Sequence, residues 1–69
     1  MTEKQKKLLH DVRTYGKLIE RWDSYDHGLE QVDETNSAFL WEYEDHGLRY
    51  HIVIIMRNGE YVDYFVKEL

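Results

Sequence analysis

Leu48-Arg49-Tyr50-His51-Ile52-Val53-Ile54-Ile55-Met56-Arg57-Asn58-Gly59-Glu60-Tyr61-Val62-Asp63-Tyr64-Phe65-Val66-Lys67 decides the fold of this chain. Two runs rich in β-branched and aromatic residues flank Asn58-Gly59, the dipeptide that best tolerates the two positive φ angles of a tight hairpin turn. A two-residue loop there pairs Arg57 with Glu60, Met56 with Tyr61 and Ile55 with Val62. Side chains alternate across a strand. Leu48, Tyr50, Ile52, Ile54 and Met56 therefore share one face of the middle strand, and His51, Val53 and Ile55 share the other. The same ladder puts Tyr61, Asp63, Phe65 and Lys67 on the first face and Val62, Tyr64 and Val66 on the second. Both faces are apolar.

Working toward the N-terminus, Asp45-His46-Gly47 marks another turn, preceded by Phe39, Trp41 and Tyr43 alternating with Leu40, Glu42 and Glu44. A three-residue Asp-His-Gly loop and a two-residue His-Gly loop are both compatible with this pattern. The choice decides whether the three aromatics share a face with Val53 or with Ile52. Residues 28 to 37 read as a polar connection that only Leu29 and Val32 could pin. Before it the period changes: Leu8, Val12, Tyr15, Ile19 and Trp22, widened by Leu18, form an apolar stripe at helical spacing. Thr2-Glu3-Lys4-Gln5 fits a capping box. The helix is predicted from Thr2 to an end between residues 22 and 27, with Gly16 as a weak point in its interior and Gly28 as a cap. The expected architecture is α+β: one N-terminal amphipathic helix on a three-stranded antiparallel meander, αβββ, in two layers and a single domain over residues 1–69.

Composition agrees with a small folded domain, since 42% of the residues are hydrophobic and 14% aromatic. No proline, repeat or low-complexity tract divides the chain. The absence of cysteine excludes disulfides, thiolate chemistry and cysteine-ligated zinc. The basic start up to Lys7 is followed only by Leu8 and Leu9 before His10-Asp11, so no signal-peptide core is expected. The longest apolar run, Ile52 to Met56, is far short of the roughly 20 residues that cross a bilayer as a helix. A soluble, cytoplasmic protein without membrane contact is expected.

Charge is polarised along the chain. Nine basic and fourteen acidic side chains leave a formal net charge of −5 with histidine neutral. Between residues 22 and 46 lie eight acids, Asp23, Asp26, Glu30, Asp33, Glu34, Glu42, Glu44 and Asp45, and no Lys or Arg. Such a field repels nucleic acid and anionic lipid, and it attracts basic protein surfaces. Glu42 and Glu44 project to the same side of their strand about 6.6 Å apart, so a partner's arginines could address them separately. The plainer reading is that acidic loops keep a small protein soluble. Lys4, Lys6, Lys7, Arg13, Lys17 and Arg21 are assigned to the solvated face of the helix.

One helix covers one sheet face. A surplus apolar face is therefore expected, made of Tyr50, Ile52, Ile54, Met56, Tyr61 and Phe65 beside the eight acids, a combination suited to a partner interface. The alternatives are that residues 28 to 37 fold under the sheet and hide that face, or that it pairs with a second copy of the chain. In size, acidity and αβ economy the whole chain resembles the small inhibitors that phages and other mobile elements make against host defence nucleases, including anti-CRISPR proteins. That resemblance is one of class, so no functional residue is carried over from it. It implies stoichiometric binding to a nuclease or its nucleic-acid groove, by nucleic-acid mimicry and without catalysis.

Other chemistry finds little support in the residues. His10, His27, His46 and His51, with Asp23, Asp26 and Asp45 nearby, are the candidate metal ligands, but no metal-binding spacing occurs. Imidazoles beside turn glycines, such as His27 and His46, are usually just solvated. The connection lacks the ligand pattern of a calcium loop, and Ser24 and Ser37 lack a nucleophile elbow. Glu42 with Glu44 could be read as a glycosidase pair, yet same-face strand acids are far commoner as surface charge. The helical stripe spans only two heptads, too few for a coiled coil. Trp22 and Tyr25 make an amphipathic corner, with core burial the expected role of Trp22. The chain is thus expected to be no enzyme and to need no cofactor and no metal. It is expected to bind a basic, nucleic-acid-binding site on another protein, with a self-associating homodimeric module as the alternative.

Overall fold

Thr2 does cap the first element. Its hydroxyl accepts from the Gln5 backbone N–H (3.1 Å), and the Gln5 amide oxygen accepts from the Thr2 N–H (2.8 Å). The helix α1 runs Glu3–Tyr15. A computed structural model describes residues 1–23 and 36–69, and beyond α1 it holds four strands, β1 (Lys17–Asp23), β2 (Asn36–Asp45), β3 (Leu48–Arg57) and β4 (Glu60–Glu68). They form one antiparallel sheet in the order β1-β2-β3-β4. The α+β class is as expected, but there are four strands where three were predicted.

The extra strand replaces the second half of the predicted helix. Gly16 is extended (φ −79°, ψ 176°), and its N–H donates to the Val12 carbonyl at 2.8 Å, which closes α1 there. A Cβ at this position would lie 2.4 Å from the Val12 oxygen and 3.0 Å from the Glu42 oxygen, so only glycine lets the chain turn this tightly against β2. Lys17–Asp23 then fills the outer edge of β2. The register slips between Leu18 and Glu20, leaving Ile19 in a bulge. That bulge breaks the two-residue period, so Ile19 and Trp22 imitate a helical stripe that does not exist.

Both hairpins use two-residue loops. His46 and Asn58 have φ 50°, and Gly47 and Gly59 have φ 79°, the pair of positive angles that matches strand twist. The first loop is therefore His46-Gly47, with Asp45 opposite Leu48. This places Phe39, Trp41 and Tyr43 beside Ile54, Ile52 and Tyr50. In the second hairpin Arg57 faces Glu60 and Met56 faces Tyr61, but Ile55 faces Asp63 and not Val62. Val62 is the bulged residue, and it inverts the rest of β4. Tyr64, Val66 and Glu68 join the face of Ile54, Ile52 and Tyr50, while Phe65 and Lys67 join that of Val53 and His51.

The helix covers the first of these faces. Leu9 and Val12 meet Ile52 and Ile54 in a fully enclosed cluster, ringed by Trp41, Tyr43, Tyr50, Met56, Tyr61 and Tyr64. Each enclosed aliphatic side chain stabilises the fold by about 1.5–3 kcal/mol. The inward stripe is therefore Gln5, Leu9 and Val12. Leu8 is exposed, and Tyr15, assigned to the core stripe by its spacing, is 77% exposed. Gln5 and Arg13 tie α1 to β4 through the phenols of Tyr64 (3.3 Å) and Tyr61 (3.1 Å). No helix among the described residues is long and apolar enough to cross a membrane.

Candidate functional site

A 13-residue helix is about 20 Å long and 10 Å wide, whereas four strands of this length present a face of roughly 30 by 19 Å. That face is consequently covered only in part, and apolar side chains emerge on both flanks of α1. On the β1–β2 side lies a recess of about 340 Å³ lined by His10, Arg13, Thr14, Leu18, Phe39, Trp41 and Met56. Its rim is basic. Arg21 adds a further guanidinium on this side, 5.4 Å from the Phe39 ring centroid, and Arg13 stands 5.7 Å from that of Tyr61. Among the described residues the buried Trp41 indole N–H has no hydrogen-bond partner.

The other flank has the opposite character. A recess of about 220 Å³ is lined by Leu8, Tyr43, Asp45, Tyr50, Ile52 and Val66. Val66 is 50% exposed and Leu8 is also exposed. The pKa of the Tyr43 phenol is raised above its ordinary value, by burial first and then by the charges of Asp45 and Asp11 and by Tyr15. Asp45 lies 3.5 Å from the His46 imidazole in the turn.

The sheet face away from α1 is mixed. One row reads Lys17, Glu42, His51, Lys67; the next reads Glu20, Leu40, Val53, Phe65; a third reads Trp22, Ala38, Ile55, Asp63. Ala38 and Ile55 are buried there, Trp22 is half-buried, and Phe65 is 39% exposed. Trp22 thus lies outside the core cluster assigned to it.

Of the six apolar residues expected on a free face, Tyr50, Ile52, Ile54, Met56 and Tyr61 lie on the face that α1 covers, with Ile52 2% and Ile54 0% exposed. Ile54 is closed to a partner, and Ile52 shows only an edge, in the lining of the second recess. Phe65 alone faces away from the helix, because the Val62 bulge separates it from Tyr61. The acids divide as well. Asp26, Glu30, Asp33 and Glu34, like Tyr25, His27, Gly28, Leu29 and Val32, lie outside the described residues. Asp23 ends β1 opposite Ser37, at the end of the sheet where residues 24–35 join. Glu44 and Asp45 lie at the far end of β2, roughly 23–26 Å away along the strand. Glu42 is ion-paired with Arg49 on the neighbouring strand and sits opposite Lys17. Acids adjacent in sequence are therefore not one surface among the described residues, and Glu42 is partly neutralised.

Sequence reasoning did not find the Tyr43–Asp45 recess. Its one legible signal is the i, i+2 pair of Tyr43 and Asp45 on a strand beside a turn. Among the described residues no group of three His, Asp or Glu side chains converges to hold a metal ion. No protein-family model, curated protein or solved structure matches the chain.

Proposed function

We propose that this chain is a non-enzymatic binding protein that occludes a basic, nucleic-acid-binding site on a partner protein, in the manner of phage-type inhibitors of host defence nucleases. The observation that supports it best is the flank of α1 where exposed Leu8 and Val66 adjoin Asp45: uncovered apolar surface beside negative charge suits a desolvating contact with a cationic one. The acids of residues 24–35, which include no Lys or Arg, would add long-range attraction.

The test is competition. A nucleic-acid-binding protein captured by the chain should release its own nucleic acid in proportion to the chain added, with affinity falling as salt rises. A complex that leaves the nucleic acid bound and ignores salt overturns the reading.

A second reading, pairing of two copies, draws on β4. It is an edge strand of nine residues with Val62, Phe65 and Val66 exposed, a template for strand addition. Light scattering at high concentration decides it, and a monomeric mass rejects it.

A further inference from the structure

The recess on the acidic flank has walls, floor and charge that together select one kind of side chain. Tyr43 and Tyr50 are cross-strand partners, so their rings stand side by side. Ile52 lies one step further along β3, and Leu8 and Val66 close the sides with aliphatic surface. Asp45 stands in the lining. Two more carboxylates belong to this face from other elements. Glu68 is the β4 partner of Tyr50, and Asp11 follows Leu8 by three residues on α1. The pKa of the Tyr43 phenol is raised by burial first and then by the charges of Asp45 and Asp11. Lys4 and Lys7, four residues before Leu8 and Asp11 respectively, are the basic residues on that side of α1. Arg49 belongs to the opposite face, where it is held by Glu42.

We infer that the Tyr43–Tyr50 recess receives an arginine side chain from the basic surface of a partner protein. An arginine carries an apolar stem and a planar cationic head. The stem matches Leu8, Ile52 and Val66. The guanidinium stacks on tyrosine faces and pairs with the Asp45 carboxylate, while Asp11 and Glu68 add attraction at longer range. The other flank of α1, where Arg13 lines the recess, repels the same group, so the two recesses give the helix a polarity for docking. This inference rests on the reading of the chain as a binder of basic protein sites, and it names the anchor.

The full chain is titrated with N-acetyl-arginine amide at low ionic strength while its methyl and aromatic NMR signals are followed. The control is N-acetyl-citrulline amide, which has the same shape without the charge. Shifts confined to Leu8, Tyr43, Tyr50, Ile52 and Val66, with the arginine compound bound about three- to tenfold more tightly than the citrulline one, are expected. Asp45→Asn should remove most of that difference, and Tyr50→Leu, which keeps an apolar body, should weaken arginine binding by a few-fold. Unchanged spectra elsewhere show that each variant is folded. Equal response to both compounds, or shifts centred elsewhere, overturns the inference. If the arginine compound fails to bind while the chain still displaces nucleic acid from a captured partner, only the anchor is wrong. If it binds in the recess while nucleic acid stays on the partner, the anchor stands and the occlusion reading falls.

Discussion

The Gln5 side chain donates from Nε2 to the Tyr64 phenol oxygen at 3.3 Å, joining residues 59 apart in the chain. The other end of the same amide accepts from the Thr2 N–H at 2.8 Å, so one side chain both caps α1 and anchors it to β4. Gln5→Ala should cost about 1–2 kcal/mol, the sum of half a capping box and one part-buried hydrogen bond. Tyr64→Phe should cost less, because it leaves the cap intact. Urea unfolding of the two variants and their double mutant measures the coupling, and strictly additive losses would show that the contact contributes nothing.

Gly16→Ala has opposite expected signs under the two placements of Gly16. In a helix interior the added methyl would stabilise by about 1 kcal/mol. At the turn between α1 and β1 it meets two backbone oxygens, at 2.4 and 3.0 Å, and should destabilise by roughly 1–3 kcal/mol. A raised denaturation midpoint in this variant would restore the long helix and remove β1.

What could be read from the sequence follows from where its local signals are strong. Thr2 and Gln5 as a capping box, and Asn58-Gly59 as a tight turn, depend on neighbours a few residues away, and both are present. The bulges at Ile19 and Val62 are set by the partner strand, and nothing within either segment announces them. Each inverts the facing of the residues that follow, which is why β1 read as helix and why Phe65 was grouped with Tyr61. The Tyr43–Asp45 recess was illegible for a related reason, since it needs Leu8 from α1 and Val66 from β4, both placed only by tertiary packing.

The inversion at Val62 has a stability signature. Ile54→Ala removes an enclosed side chain beneath α1 and should cost about 2–5 kcal/mol. Phe65→Ala acts on a residue 39% exposed on the other face and should cost markedly less, under about 2 kcal/mol. Comparable losses at the two positions would mean that Phe65 is in the core and that the uninterrupted ladder is right.

Tyr43 makes stability depend on pH in the alkaline range. Its pKa is raised from 10.0 in the folded chain, by burial first and by Asp45, Asp11 and Tyr15 after it, so the folded state holds the phenolic proton more tightly than the unfolded state does. The stability this contributes is present in full below about pH 10 and is lost as pH rises through the raised value. Urea midpoints measured from about pH 9 to 11 should fall more steeply for the native chain than for Tyr43→Phe. Parallel curves would show that the phenol gains nothing from its surroundings.

Charge reversal on β2 must spare Glu42, because a lysine there would face Arg49 and Lys17 and disturb the sheet before it disturbed any partner. Glu44 and Asp45 are exposed at the end of β2 with their side chains on opposite faces; Asp45 can be reversed with the fold kept, and a lysine at 44, though it stands opposite Arg49, meets that charge in water, where the repulsion costs under about 1 kcal/mol. Asp45→Lys places a cation in the Tyr43–Tyr50 recess and should weaken the complex with a basic partner by tenfold or more, about 1.4 kcal/mol. Glu44→Lys, on the far face, should lower affinity only a few-fold and mainly through slower association, an effect that disappears in high salt. Surface plasmon resonance at two salt concentrations separates the rates. Equal effects from both reversals would place the contact at the sheet end as a whole and remove the distinction between its faces.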